Sequence, residues 1–185
     1  NCGNYKYDFE LPMAGKHNVL NMMLAIDIAK NLNVSLKDMN EGLSNLKATS
    51  MRLEVEKTDK ITIINDCYNA SPDSMKSSIE VLMTKAASRR VAILGDMYEL
   101  GSKTEEAHEE VGSFAKGKID LLIVIGENVN NYENGFGSEH IRKFASKDDF
   151  FKEVDSLINK DDVILVKASR GMRFEEIISK LKKLK

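Results

Sequence analysis

The residues best able to do chemistry in this chain lie in three short polar stretches, each at the end of an apolar run. The first is Asn65-Asp-Cys-Tyr-Asn-Ala-Ser-Pro-Asp-Ser74, in which Asp66 and Asn69 offer a carboxylate and an amide. The second is Gly95-Asp96-Met97-Tyr98-Glu99-Leu100-Gly101, with two acids framed by glycines that let the backbone turn sharply. The third is Lys167-Ala168-Ser169-Arg170-Gly171, with two cations and a hydroxyl. Acids from two stretches and bases from a third suit a zwitterionic ligand, its amine meeting carboxylates and its carboxylate meeting Arg and Lys. Taken singly, each stretch also reads as an Asp capping its own loop or as a loop ion pair.

Positioning these groups falls to the flanking elements. Ile61-Thr-Ile-Ile64, Val91-Ala-Ile-Leu94 and Asp162-Val-Ile-Leu-Val166 are short β-branched or aliphatic runs that read as buried strands. Ser71 is placed to cap a helix with Pro72 at its first position, where a missing N–H costs nothing. Ser102 and Glu105 have the spacing of a capping box for the next helix. Each polar stretch therefore follows a strand and precedes a helix. In open α/β sheets the carboxyl ends of strands are where ligands collect.

The same periodicities organise the rest. Residues 5–11 alternate and predict a strand; Asn18–Leu32 carries apolar residues at helical spacing, and Ser35 caps a shorter helix to about Leu46. A domain boundary is expected at residues 47–52, dividing the chain into 1–50 and 51–185. Beyond it strands are expected at 53–57, 61–65, 91–94, 119–125, 141–144 and 162–166. Helices are expected at 72–87, 103–116, 128–133, 147–158 and 173–183. This alternation predicts an α/β fold with a Rossmann-like, doubly wound, mostly parallel sheet.

Composition narrows the function classes. The chain has 185 residues, 42% hydrophobic and 30% charged, enough for one full domain plus a partial one. A net charge of −2 gives no basic footprint for nucleic acid. The two cysteines, Cys2 and Cys67, imply no disulfide framework and suit a reducing compartment; neither they nor the three histidines have metal-ligand spacing. No apolar run approaches the roughly 20 residues that span a bilayer, so membrane insertion is not expected. There is no G-x-x-x-x-G-K-[ST] phosphate loop: Gly15-Lys16 is followed by His and Gly117-Lys118 by Ile.

Four segments taken in order carry a family resemblance: Gly15-Lys16-His17-Asn18-Val19-Leu20-Asn21, Asp66 to Ser74, Leu94 to Gly101, and Lys167 to Met172. Together they resemble the Mur ligases, and within them the last ATP-dependent member. Asn65, Cys67, Ser71 and Ala168 stand where Asp, Ser, Asn and Gly are frequent in that family. The resemblance implies that residues 1–50 are the tail of the central, ATP-binding domain and 51–185 the complete C-terminal domain. The phosphate loop and the ligands of a Mg2+ ion are then expected upstream, the metal having no ligand here, and the fragment alone is expected to be inactive. The implied reaction joins D-alanyl-D-alanine to UDP-N-acetylmuramoyl-tripeptide through an acyl phosphate made with ATP, in a cytoplasmic, monomeric enzyme of peptidoglycan precursor synthesis. Such a step depends on positioning and charge neutralisation. The resemblance puts His17, Asn18 and Asn21 at the adenine, Arg52 at phosphate or ribose, and Asp66, Tyr68 and Asn69 at the ribose. Asp96 and Glu99 would hold the incoming ammonium or orient loop groups, while Lys167, Ser169 and Arg170 would bind the dipeptide carboxylate or the developing oxyanion. His108, inside a helix, reads as structural. Two other readings stay open: another Mur-type amino acid ligase, and a non-catalytic nucleotide- or peptide-binding module of the same fold.

Overall fold

The computed structural model describes residues 8–13, 15–46 and 50–184. The chain divides into two compact units, Asn1–Thr49 and Ser50–Lys185. The first contains α1 (Lys16–Asn31) and α2 (Leu36–Ser44). Ser35 caps α2 as expected, its hydroxyl accepting from the Asp38 N–H at 3.2 Å. Val19 and Met23 of the apolar α1 stripe are exposed, and among the described residues of this unit only Met39 is buried. Two short helices have too little surface between them to enclose a core. The strand expected at 5–11 lies partly outside the described residues, and 8–11 forms no ladder. Alternation alone does not make a strand; a partner edge must be present to take its hydrogen bonds.

In the second unit β1 (Glu54–Lys57) and β2 (Thr62–Asn65) form a hairpin, followed by α3 (Pro72–Met83), β3 (Arg89–Gly95), α4 (Thr104–Ala115), β4 (Leu121–Ile125), α5 (Val129–Phe136), β5 (Ile141–Phe144), α6 (Lys147–Leu157), β6 (Asp162–Lys167) and α7 (Glu175–Leu181). The six strands form one sheet in the order β1-β2-β6-β3-β4-β5. All neighbours are parallel except the β1–β2 edge pair. This is the expected doubly wound α/β fold, and side-chain alternation explains its two layers. Ile63, Ile93, Ile123 and Ile164 enter one apolar cluster with Phe150 and Val154 of α6 and Ile177 of α7. Their neighbours Ile64, Leu94, Leu122 and Leu165 enter the other with Met75, Leu82, Val111 and Tyr132 from α3, α4 and α5.

Several boundaries differ from the sequence reading. α3 ends at Met83 rather than 87, and β3 starts at Arg89, in register with Asp162 of β6. The Arg89 guanidinium grips the Asp162 carboxylate at 2.9 and 2.6 Å, a pairing across 73 residues that extends the strand backwards. Ser102 does not cap α4: Gly101, at φ 57, opens a 3₁₀ turn over Gly101–Lys103, which moves the helix start to Thr104. A second 3₁₀ turn, Arg170–Met172, likewise delays α7.

Candidate functional site: a cleft at three strand ends

The sheet order places β2, β6 and β3 side by side and parallel, so their polar stretches open on one rim. Between them lies a cleft of about 540 Å³. Tyr68–Ser71 line it from the β2 loop, Tyr98–Leu100 from the β3 loop, and Ser169–Gly171 from the β6 loop. The chain turns back here, α6 returning β6 between β2 and β3. Crevices at such reversals are where open sheets bind ligands.

Several residues expected at the lip instead hold the loops together from within. Lys167 is 3% exposed and Asp66 7%. The Lys167 ammonium donates to Asp66 Oδ2 at 2.5 Å and to the Asn69 carbonyl at 2.8 Å. Asp66 Oδ2 also accepts from the Ser78 hydroxyl at 2.6 Å, and Oδ1 from the Leu53 N–H at 3.1 Å. An ammonium this deeply buried must be paired, so Lys167 does not point to a ligand, and Asp66 has little accepting capacity left for a ribose. Ser169 is buried too: its Oγ accepts from the Tyr98 N–H at 2.8 Å, and its N–H donates to the Asp96 carbonyl at 3.1 Å.

Asp96, expected to hold an ammonium or to orient loop groups, is likewise turned inward. Its carboxylate is buried and accepts the backbone N–H groups of Glu127 and Asn128 at 2.9 and 3.0 Å and the Asn128 amide at 3.1 Å. It therefore ties the β3 loop to the loop after β4. Gly126 allows this, because at φ 136 a Cβ there would stand 2.3 Å from Asp96 Oδ2. Ser78, Asn128 and Tyr98 escaped the sequence reading. Ser78 lies on the α3 face turned toward Asp66, and the Gly126-Glu127-Asn128 turn after an apolar strand was the available signal for Asn128.

What remains at the mouth is a smaller set. Arg170 is half-exposed, with Nη1 3.5 Å from Glu175 Oε2 and 3.2 Å from Met51 Sδ. Glu99 is exposed and held at φ 64, a conformation uncommon for a non-glycine residue. Tyr68 and Tyr98 are 41% and 49% exposed. The Arg52 guanidinium stacks over Tyr68 at 4.2 Å. Partial burial, and then the Asp96 and Glu127 carboxylates, raise the pKa of the Tyr98 hydroxyl and keep it protonated. Cys67 is inert: burial first, then Asp66 and Glu175, push its thiol up to about 12. In the first unit, His17, Asn18 and Asn21 lie in the first turns of α1, and the His17 ring folds against Gly15. Among the described residues no cluster of three or more His, Cys, Asp or Glu side chains is placed to hold a metal, and no helix is long and apolar enough to cross a membrane.

The fold is thus a doubly wound α/β domain whose reversal cleft is lined by a cation, Arg170, and an anion, Glu99. Residues 51–170 match the glutamate ligase domain of the Mur ligases, and the chain belongs to that family. It is 40% identical over 180 residues to the UDP-N-acetylmuramoyl-tripeptide–D-alanyl-D-alanine ligase of Bacillus subtilis, a match covering 94% of this chain and 39% of the relative. The crystal structure of MurF from Acinetobacter baumannii superposes with a TM-score of 0.87 at 28% identity, covering 95% of this chain and 39% of that one. MurF ligase from Thermotoga maritima, solved in complex with ADP, gives a TM-score of 0.76 at 28% identity, covering 92% and 39%. The chain thus spans about two-fifths of the length of the proteins it matches.

Proposed function

We propose that this chain is the C-terminal part of an ATP-dependent amide ligase that joins D-alanyl-D-alanine to UDP-N-acetylmuramoyl-tripeptide, acting as a cytoplasmic monomer, with the three-loop cleft receiving the dipeptide. The observation that carries this reading is that exposed Arg170 and exposed Glu99 line one cleft, which suits a ligand with a carboxylate at one end and an ammonium at the other. Support for the branch comes from relatives named for this reaction. Use of ATP is supported by the ADP complex of a similar ligase; ATP would supply the phosphoryl group that activates the tripeptide carboxylate.

The residue roles follow from exposure. Arg170 would take the dipeptide carboxylate and Glu99 its ammonium, while Tyr68, Tyr98 and Asn69 shape the walls. Arg52, stacked on Tyr68, would meet a phosphate or ribose, and His17, Asn18 and Asn21 the adenine. Asp66, Lys167, Asp96 and Ser169 act as supports that fix the loops, rather than as direct ligands. A phosphate loop and the ligands of a Mg2+ ion would lie upstream, in the part of the relatives' length that this chain does not span. The uncovered apolar stripe of α1 fits the tail of a larger domain.

The test is ligation by the full-length protein with ATP, UDP-N-acetylmuramoyl-tripeptide and D-alanyl-D-alanine. Arg170→Ala is expected to raise KM for the dipeptide about 10- to 100-fold, the worth of one charge-assisted hydrogen bond, with little change in KM for ATP. Turnover with a single amino acid in place of the dipeptide would move the chain to another branch of the family.

A further inference from the structure

The β3 loop is gripped from beneath by two aromatic side chains that the reading of the cleft does not use. His108, on α4, is wholly buried, and its Nε2 lies 2.9 Å from the Met97 backbone nitrogen. Its Nδ1 lies 2.6 Å from the Thr104 carbonyl oxygen. A carbonyl only accepts and an N–H only donates, so the proton sits on Nδ1 and the lone pair of Nε2 receives Met97. Tyr132, on α5, stands edge-on to the imidazole at 5.0 Å, and its hydroxyl donates to the Gly95 carbonyl at 2.8 Å. Between these anchors Asp96 is fixed by the loop after β4. The next residues are Tyr98 and Glu99, the cleft wall, with Glu99 in its left-handed conformation. A backbone in that region keeps its geometry only where its surroundings impose it.

We propose that His108 is a positioning residue for the cleft: as a neutral imidazole it anchors the Met97 amide, and so sets Tyr98 and Glu99 opposite Arg170. The proposal rests on the reading of this cleft as the amine-substrate site. It gives His108 a task that burial alone does not require, since an apolar side chain of similar size would fill the same space. The charged group facing the ring is Asp96, whose Oδ1 is 4.0 Å from Nε2. The Asp96 carboxylate is already occupied by three donors, which leaves Met97 as the partner of Nε2.

Two variants of the full-length ligase test this. His108→Leu keeps the volume but offers no acceptor, and His108→Gln restores an acceptor oxygen near the position of Nε2. Backbone hydrogen exchange by mass spectrometry, followed over a peptide spanning 94–100, reads the anchor without any turnover. In His108→Leu that peptide is expected to exchange about 10-fold faster, as the loss of one buried hydrogen bond implies, while a β4 peptide is unchanged. KM for D-alanyl-D-alanine is expected to rise by a similar factor, with KM for ATP within about twofold of wild type. His108→Gln is expected to recover most of both effects. Unchanged exchange over 94–100, equal rises in the two KM values, or a Gln variant no better than Leu would each overturn the proposal. Faster exchange with an unaltered KM for the dipeptide would overturn the role at the cleft. Failure of the reading of the cleft shows separately, as wild-type enzyme that does not use the dipeptide.

Discussion

Arg170 and Glu99 face solvent at the cleft mouth, whereas Lys167, Asp66 and Asp96 are spent inside the protein, and the difference decides what each mutation should do. Asp66→Ala removes the partner of a buried ammonium together with an acceptor for Ser78 and Leu53. It should lower stability by about 3–5 kcal/mol in urea unfolding, and adding Lys167→Met should recover much of that loss, because the uncompensated charge is the main cost. His108 gives a pH dependence. Burial lowers its pKa in the folded protein from the ordinary 6.5, outweighing the opposite pull of the Thr104 carbonyl and Asp96. The unfolded chain therefore takes up a proton at a higher pH than the folded one. Stability from this residue is complete above about 6.5 and is lost as pH falls toward the folded value. Melting curves between pH 8 and 5 should show the wild type losing up to about 1.4 kcal/mol more per pH unit than His108→Gln; parallel losses would contradict this account.

Among the elements, the end of β3 packs closely against the segment that follows β6. A Cβ on Gly95 would meet Phe174 Cζ at 2.5 Å, Met172 Sδ at 2.6 Å and Ala168 Cβ at 2.7 Å. Gly95→Ala should cost about 1–3 kcal/mol by overpacking. Since the same shift moves the first residue of the β3 loop, under the function proposed above it should also weaken dipeptide binding; a variant that melts like wild type would show that the junction yields easily. Most of the elements here were legible in the sequence. The strands at 61–65, 141–144 and 162–166 and the caps at Ser35 and Ser71 rest on local composition, and they formed within a residue or two of the expected limits. The early start of β3 and the lost cap at Ser102 were not legible, because one depends on a salt bridge from β6 and the other on a backbone turn at Gly101.

For the molecule as a whole, one sheet separates two apolar layers that share its strands but no side chains, since neighbours along a strand point to opposite faces. Phe150→Ala in one layer and Leu82→Ala in the other should each cost about 3–5 and 2–5 kcal/mol respectively. The double variant should show their sum within about 0.5 kcal/mol, measured by urea denaturation. A large departure from additivity would mean that the layers communicate through the backbone of the sheet. The cleft belongs to this scale too, since it exists only because β6, nearly last in the chain, inserts between β2 and β3.

By itself the sequence determined the alternation of strands and helices, the doubly wound class, the family and the three polar stretches that build the rim. The alternation, the class and the stretches depend on periodicity and local turn chemistry, which a linear string of residues displays, and the family on a resemblance carried by four short motifs. Tertiary structure alone decided which of the charged groups are left facing the cleft. Lys167 and Arg170 look alike three positions apart, yet one is sealed against Asp66 and the other opens to solvent. The reason is that burial and pairing come from residues about a hundred positions distant, and no local pattern records which of two cations an internal carboxylate will claim.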